Sequence, residues 1–389
     1  MTISLKHRKK SKMSRSRFEH VRIAGIAAVV PEKCISIDDE IEFFNNDPKL
    51  LERNKKILGL GTRHVIDGRT NFSDLCESAA NRLIGELKVD RATIDALLVS
   101  STSHDYRYPA TACVLQNRLG LLETVMCNDL CGLGCSAYVH ALLQAFALVE
   151  SGASCRCLIC AGDLKSLHSD RRNRNSNMLF GDAATATIVE RCDEVRPSYF
   201  ITGTRGSGWD KLIAPAGGHD LPVYSDIAGL EVRDNAGNVW HMWDDIMKGM
   251  EIFKFSTEVG PKCVSDVLEL AGCKQEDVDY FAFHQANKQI VRSVGMYLGL
   301  PQGKYSADAF GRYGNSGVSA VVTDICHNLH GCSLGKVCIT GFGVGLSWGS
   351  ALVDMKGAYI GPVETYKTPA GKMSREEKIR HWISHFKGE

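Results

Sequence analysis

The chain has 389 residues, of which 44% are hydrophobic and 23% charged, and its formal net charge is +1. This composition is typical of a globular protein with one large or two ordinary domains and sizeable cores. The near-zero charge gives no whole-protein field that would favour nucleic acid or a membrane surface, and no apolar stretch reaches the roughly 18 residues that a membrane span needs.

The chain begins with a basic run that has almost no apolar residues, which predicts a solvated, disordered tail over residues 1–20. The run lacks the apolar segment of a secretory signal. Fifteen cysteines, an odd number, then argue against a disulfide framework, so we expect a reducing, cytoplasmic location. The basic residues of the run are Lys6, Arg8, Lys9, Lys10, Lys12, Arg15 and Arg17.

Predicted strands alternate with amphipathic helices from residue 21 onwards. Residues 74–87 and 137–151 carry apolar residues at helical spacing, and Gly152 is a plausible helix end. The alternation predicts an α/β fold with helices layered on a sheet. The apolar runs that predict strands lie at 21–30, 94–100, 155–161 and 183–189.

The second half of the chain repeats the first. TIDALLVSS at 93–101 matches DVDYFAFHQ at 277–285 in pattern, and KVCITG at 336–341 resembles CRCLICAG at 155–162. This duplication predicts two fused α/β halves with a site where they meet.

The predicted halves span 21–195 and 196–361. The irregular stretch 204–240 is placed to cover the cleft between them. We interpret 362–389 as a peripheral extension that ends in a helix at 373–387.

Cys127, Cys131 and Cys135 are spaced four residues apart, which is compatible with a metal triad, with packing, or with one reactive thiol. Gly132 and Gly134 interrupt a helix that could align all three, and no fourth ligand is near in sequence, so a metal site is disfavoured. We assign Cys127 and Cys131 to packing. Cys135 follows a Gly-Leu-Gly turn and opens the 137–151 helix, where a helix N-terminus would lower its pKa and free N–H groups could bind an oxyanion.

A nucleophile needs partners, and three later segments are candidates. His284 ends the predicted strand DYFAF, where a side chain points either into a cleft or into the core. Asn315 lies in RYGNSG, which by itself favours a turn. The glycine-dense stretch 341–345 is either a loop with inward N–H groups or a simple turn.

Taken together and in order, these segments resemble the β-ketoacyl-acyl-carrier-protein synthase III family of the thiolase superfamily. YPA at 108–110 also fits, and the likeness runs from about Val21 to Met355. The matching motifs are GCSA at 134–137, FGDAA at 180–184, HQAN at 284–287, YGNS at 313–316 and GFGVGLSWG at 341–349.

The resemblance implies a thiolase-like fold, two duplicated halves in a five-layer αβαβα sandwich, and a homodimer. It implies a triad in which the Cys135 thiolate takes an acyl group from a thioester, while His284 and Asn315 stabilise the enolate formed when a malonyl thioester loses CO2. The backbone N–H groups of Cys135 and Val344 would bind the second oxyanion.

The resemblance further places Tyr108, Arg174, Asn287 and Phe342 at the substrate site. Acyl-coenzyme A and an acyl carrier protein are the implied partners, without a metal or another cofactor.

The chain departs from the family at several positions. The loop of three glycines is GlyValGly here, so Val344 narrows the space. The Trp and Arg that contact coenzyme A have no counterpart in the stretch 53–57, where Arg174 could serve instead. Tyr108 stands where the family has a Phe that reaches the partner's acyl pocket, which hints at a different or more polar acyl chain and at a secondary-metabolite or surface-polysaccharide relative.

Other functions remain open on the sequence. An acyltransferase of the same fold would pass the acyl group to a hydroxyl or amine, although Asn315 argues for decarboxylation. A chalcone-synthase-like or hydroxymethylglutaryl-type condensation is a variant. An inactive subunit that only binds a carrier protein is disfavoured by the complete triad.

Overall fold

The computed structural model describes residues 14–235 and 237–387. Its strands are β1 Ser14–Phe18, β2 Val21–Pro31, β3 Cys34–Ser36, β4 Thr62–His64, β5 Ala96–Ser100, β6 Met126–Leu130, β7 Arg156–Leu164, β8 Asp182–Arg191, β9 Ser198–Thr204, β10 Leu212–Ile213, β11 Glu231–Arg233, β12 Val239–His241, β13 Ile246–Met247, β14 Tyr280–Phe283, β15 Lys336–Gly343, β16 Ser347–Asp354 and β17 Tyr359–Tyr366. Its helices are α1 Pro48–Leu58, α2 Phe72–Glu86, α3 Thr111–Arg118, α4 Ala137–Glu150, α5 Ser225–Ala228, α6 Gly249–Ala271, α7 Lys288–Tyr297, α8 Asp308–Tyr313, α9 Ala320–Leu329 and α10 Arg375–Lys387.

Two large sheets carry the fold, and each contains the same four-strand unit. The first sheet has the order β17-β2-β8-β7-β5-β6, and the second has the order β1-β9-β16-β15-β14. In both, two antiparallel pairings are followed by a parallel one: β7 with β5, and β15 with β14. The strands equated by the sequence repeat therefore occupy equivalent places.

The helices form three layers around these sheets. Helices α4 and α9 lie between the sheets, where their apolar faces share one core with strands of both. Helix α2 packs on the outer face of the first sheet, and α6 and α7 pack on the outer face of the second. The result is the predicted five-layer αβαβα sandwich, with a central helix pair that belongs to both halves.

The prediction of a disordered tail is wrong for residues 14–18, which form β1 at the edge of the second sheet. Arg15 and Arg17 are exposed, whereas Phe18 packs 5.6 Å from the Phe200 ring and 5.8 Å from the Phe146 ring. The strand therefore alternates exposed basic residues with the half-buried Ser16 and Phe18, a pattern that the high charge count of the segment obscured. The rest of the predicted tail, residues 1–13, lies outside the described residues.

The predicted boundary at 361/362 is also wrong, because β17 crosses it and pairs in parallel with β2 of the first sheet. Ile360 and Val363 pack against the central core, so residues 362–366 are part of the sandwich rather than an extension. Helix α10 is peripheral as predicted: it has no buried residue, and Lys378 Nζ donates to Asn71 Oδ1 at 2.7 Å.

The stretch 204–240 is less irregular than predicted. It contains β10, α5 and β11 and the start of β12, and β10 and β11 pair with β13 and β12 respectively. Leu212 and Ile213 of β10 line the cavity between the halves. Among the described residues, no helix is both long and apolar enough to cross a membrane.

Candidate active site

A cavity of about 950 Å³ opens where the two halves meet. Cys135 from the first half and His284 and Asn315 from the second all line it. The duplicated topology brings these three side chains together from sites far apart in the sequence.

Cys135 sits in a tight 3-10 turn, Gly134–Ser136, between β6 and α4. Gly134 has φ 53°, which a residue with a side chain rarely adopts, and a Cβ there would lie 2.6 Å from Val344 Cγ2. Both the backbone conformation and the limited space at position 134 therefore require glycine. The turn leaves the Cys135 side chain only 7% exposed at the base of the cavity.

The protonation state of Cys135 differs from the one predicted. Burial raises the pKa of the thiol to about 12, while the charge of Lys165 opposes the rise and the carboxylates of Asp163 and Asp245 add to it. The expected lowering by the helix N-terminus is wrong, because burial disfavours the charged thiolate and is the largest cause of the shift. Cys135 is thus a neutral thiol at pH 7.

His284 follows β14 directly and is 2% exposed. Its backbone N–H donates to Thr340 O at 2.9 Å, and its ring meets the Phe342 ring edge-on at 5.7 Å. Burial lowers the pKa of His284 to about 3, so the imidazole is neutral at pH 7. Its Nδ1 is buried and has no hydrogen-bond partner among the described residues.

Asn315 is held rigidly in the loop between α8 and α9. Its backbone N–H donates to Leu179 O at 2.7 Å, its carbonyl accepts from Gly181 N at 3.1 Å, and its Oδ1 accepts from Gly317 N at 3.0 Å. Since Oδ1 is occupied, Nδ2 is the end of the amide that remains for a ligand.

Asp163 joins this loop to the first half of the chain. Its buried carboxylate accepts from the backbone N–H groups of Thr102 at 2.7 Å and Val318 at 2.9 Å. Gly317 has φ 62°, and a Cβ there would collide with Asp163 Oδ2. A glycine at 317 is therefore needed to bring the Asn315 loop against the carboxylate.

The predicted oxyanion donor Val344 is engaged elsewhere in this structure. Its N–H donates to Leu133 O at 3.1 Å. The prediction that Val344 supplies an oxyanion donor is therefore wrong for this conformation, because the N–H is already bonded. The cause is local, since Gly343 packs closely on the turn that carries Cys135.

Three of the four predicted substrate residues line the cavity. They are Arg174, Asn287 and Phe342. Arg174 Nε donates to Asn238 Oδ1 at 3.2 Å, and Asn287 caps α7 through Oδ1, which accepts from Ile290 N at 2.9 Å. Tyr108 is 82% exposed and is not among the lining residues, so the structure does not bring it to the cavity of its own chain.

Sequence reasoning missed a charged pair in the cavity wall. Lys165 Nζ lies 2.9 Å from Asp245 Oδ2 and 2.9 Å from Thr102 Oγ1, and all three residues line the cavity. The available signal was a lysine that directly follows the long buried strand β7, where a solvated charge is not expected.

The cysteine triplet does not converge. Cys127 is half-buried on β6, Cys131 is exposed and Cys135 is buried, so the packing assigned to Cys131 is wrong. Within the described ranges, the group of side chains close enough to share an ion is Asp170, Glu231 and His241. There Arg172 already pairs with both carboxylates.

Family models for 3-oxoacyl-[acyl-carrier-protein (ACP)] synthase III match residues 131–205, and for its C-terminal part residues 268–355. The β-ketoacyl-[acyl-carrier-protein] synthase III of Fusobacterium nucleatum is 30% identical over 86% of this chain and 98% of its own length. That of Clostridium acetobutylicum is also 30% identical, with 86% and 98% covered.

A solved structure of 3-oxoacyl-(acyl-carrier protein) synthase from Burkholderia xenovorans LB400 superposes with a TM-score of 0.82 at 33% identity, covering 91% of this chain and 99% of its own. The matched segments contain Cys135, His284 and Asn315. With its duplicated sandwich and these matches, the chain belongs to the 3-oxoacyl-[acyl-carrier-protein] synthase III family of condensing enzymes.

Proposed function

We propose that the protein is an acyltransferase that condenses an acyl thioester with malonyl-acyl-carrier-protein, with loss of CO2, to give a 3-oxoacyl thioester. The observation that carries this proposal is the convergence of Cys135, His284 and Asn315 on one cavity between the halves. A thiol, a neutral imidazole and a carboxamide match the three tasks of the reaction: attack, and two donations to an enolate oxygen.

In the first step the Cys135 sulfur attacks the acyl carbon. The new S–C bond forms as the bond to the donor thiol breaks, and the thiol proton passes to the departing sulfur. Because the pKa of Cys135 is raised to about 12, the thiol loses its proton during the attack rather than before it.

In the second step the malonyl group loses CO2, and the electron pair of the broken C–C bond becomes an enolate. His284 and Asn315 Nδ2 donate to its oxygen, and the lowered pKa of His284 keeps the imidazole neutral, so that it donates without a permanent charge. The enolate carbon attacks the acyl carbon, and the Cys135 sulfur leaves and takes up a proton. The backbone N–H of Cys135 donates to the tetrahedral oxyanion. The backbone N–H of Val344 donates as well only if its hydrogen bond to the Leu133 carbonyl breaks.

This chemistry needs no redox cofactor, since the loss of CO2 supplies the electron pair of the new C–C bond, and no metal, since His284 and Asn315 stabilise the enolate oxygen. The release of CO2 also makes the bond formation irreversible. Arg174 and Asn287 are our candidates for contacts to the acyl donor, which is coenzyme A or a carrier protein. We further propose a homodimer in which the exposed Tyr108 reaches the partner subunit's acyl pocket, and a cytoplasmic location, where Cys135 stays reduced.

Intact-mass spectrometry tests the proposal. The protein is incubated with a pool of acyl-coenzyme A donors, and the expected result is one acyl adduct that C135A lacks and C131A, a matched control at an exposed cysteine, retains. Malonyl-carrier protein should then discharge the adduct with release of CO2 and a 3-oxoacyl product.

Discharge to an alcohol or amine without malonyl consumption would support the plain acyltransferase instead. Failure of every donor to acylate Cys135 would support an inactive partner subunit.

A further inference from the structure

The buried Lys165–Asp245 pair has no part in the reaction described above, although it faces the same cavity as Cys135. Lys165 is 5% exposed and the Asp245 side chain 14%. The Lys165 ammonium has three N–H donors, two of which reach Asp245 and Thr102. Its Nζ also lies 5.8 Å from the centre of the Phe180 ring, another cavity residue.

Both halves of the chain hold this pair in place. Lys165 directly follows β7 of the first sheet, whereas Asp245 directly precedes β13, whose Met247 lines the cavity. The Asp245 N–H donates to His168 O at 2.8 Å, and His168 Nε2 lies 3.0 Å from Ser103 Oγ. The positions of both charges are therefore fixed before any ligand binds.

A buried charged pair is an energetically unfavourable choice for the wall of this cavity. Removing an ammonium and a carboxylate from water is costly, and a protein with apolar residues of similar size in their place is often as stable or more so. Apolar residues line much of the same cavity, among them Met178, Leu179, Ile213 and Met247. Further apolar residues at these positions would be sufficient to bind an unsubstituted alkyl chain.

The signs of the two charges restrict the group they can bind. A carboxylate on the acyl chain would face Asp245, and an ammonium would face Lys165. A hydroxyl is neutral, accepts a hydrogen bond from Lys165 and donates one to Asp245, so it satisfies both.

We propose, on the basis of the function proposed above, that the acyl group loaded onto Cys135 carries a hydroxyl that Lys165 and Asp245 bind. The pair selects a hydroxyacyl donor over the alkanoyl donor of equal length. A site that offers hydrogen bonds to a hydroxyl discriminates strongly against the analogue that lacks it, because its buried polar groups are then left facing an apolar chain.

Competition between matched donors tests this inference. The protein is given equal amounts of butyryl-coenzyme A and one hydroxybutyryl-coenzyme A, with the hydroxyl on carbon 2, 3 or 4, and the two adducts on Cys135 are resolved by intact mass. We expect one hydroxyacyl donor to be preferred by about tenfold or more, the effect of roughly one good hydrogen bond.

The double variant K165M/D245L should reverse this preference, because it removes both charges of the pair together and leaves neither of them buried without the other. K262M is the matched control: Lys262 pairs with Asp266 on the exposed face of α6, away from the cavity, and the ratio should not change. Circular dichroism checks that each variant is folded, and if the double variant is not, the preference of the unaltered protein still tests whether a hydroxyacyl donor is selected.

Preferential loading of butyryl over all three hydroxybutyryl donors would overturn this inference and leave the proposed function standing. A preference that persists unchanged in folded K165M/D245L would also overturn it. Loading of no acyl group at all would overturn both proposals.

Discussion

At the scale of single residues, burial sets the protonation of the two titrating groups of the site. The pKa of Cys135 rises and that of His284 falls, and in both cases burial is the largest cause because it disfavours the charged form. The turn that carries Cys135 and the helix after it were predictable, since glycines before an amphipathic run are a local signal. The direction of the Cys135 pKa shift was not predictable, because it depends on residues such as Asp163 and Asp245 that only the fold places nearby.

The lowered pKa of His284 makes stability depend on pH. The unfolded chain binds a proton at this histidine near pH 6.5 and the folded one only near pH 3, so the unfolded state binds more protons in between and stability falls as pH drops through that window. We expect H284N to flatten the slope of the unfolding free energy by up to about 1.4 kcal/mol per pH unit between pH 6 and 4.

Urea denaturation at several pH values measures this slope. H381N, at an exposed histidine on α10, is the control and should keep the slope of the unaltered protein. Equal slopes for H284N and the unaltered protein would contradict a neutral, buried His284.

At the scale of elements, the loop from Asn315 to Val318 is the critical connection, because it carries a candidate catalytic side chain and bonds to Asp163 of the other half. The sequence indicated only a turn here. The hydrogen bond from the Val318 N–H to Asp163, beside which Gly317 is needed, joins residues 155 positions apart, which no local pattern encodes.

We expect G317A to lower the condensation rate at least tenfold while Cys135 is still acylated, because the added methyl collides with Asp163 and displaces the amide of Asn315. G331A is the matched control: Gly331 also has a positive φ, but a Cβ there meets no atom within 4 Å, so only the backbone strain is shared. Product formation and acyl loading are measured separately by mass spectrometry. A similar loss of condensation in both variants would contradict a specific role for the loop contact.

Strand β1 is a second element with a testable contribution. We expect F18A to lower the free energy of unfolding by about 2 kcal/mol, since the ring fills a half-buried site between Phe146 and Phe200. R15A, at an exposed position in the same strand, should change it by less than about 0.5 kcal/mol. Chemical denaturation measures both values, and equal effects would show that β1 does not pack as described.

At the scale of the whole molecule, the two halves share a cavity and are also joined by terminal strands, each of which pairs with the sheet of the other half. Strand β1, which precedes the first half in the sequence, pairs at the edge of the second sheet. Strand β17, at the end of the second half, pairs at the edge of the first sheet. The duplication was predictable, because the apolar runs of β5, β7, β14 and β15 repeat in sequence, whereas the layer order followed from the family resemblance. The exchange of terminal strands was not predictable, because an edge strand with exposed charges, such as β1, has the same composition as a disordered tail.

The central claim is that Cys135 carries the acyl group of a decarboxylative condensation completed by residues from the other half. The most direct measurement is the intact mass of the protein after incubation with acyl-coenzyme A donors, followed by malonyl-carrier protein, in the unaltered protein, C135A and N315A. We predict an adduct in the first and third but not in C135A, and discharge with CO2 release only in the unaltered protein. An adduct that persists in C135A, or full discharge in N315A, would contradict the account.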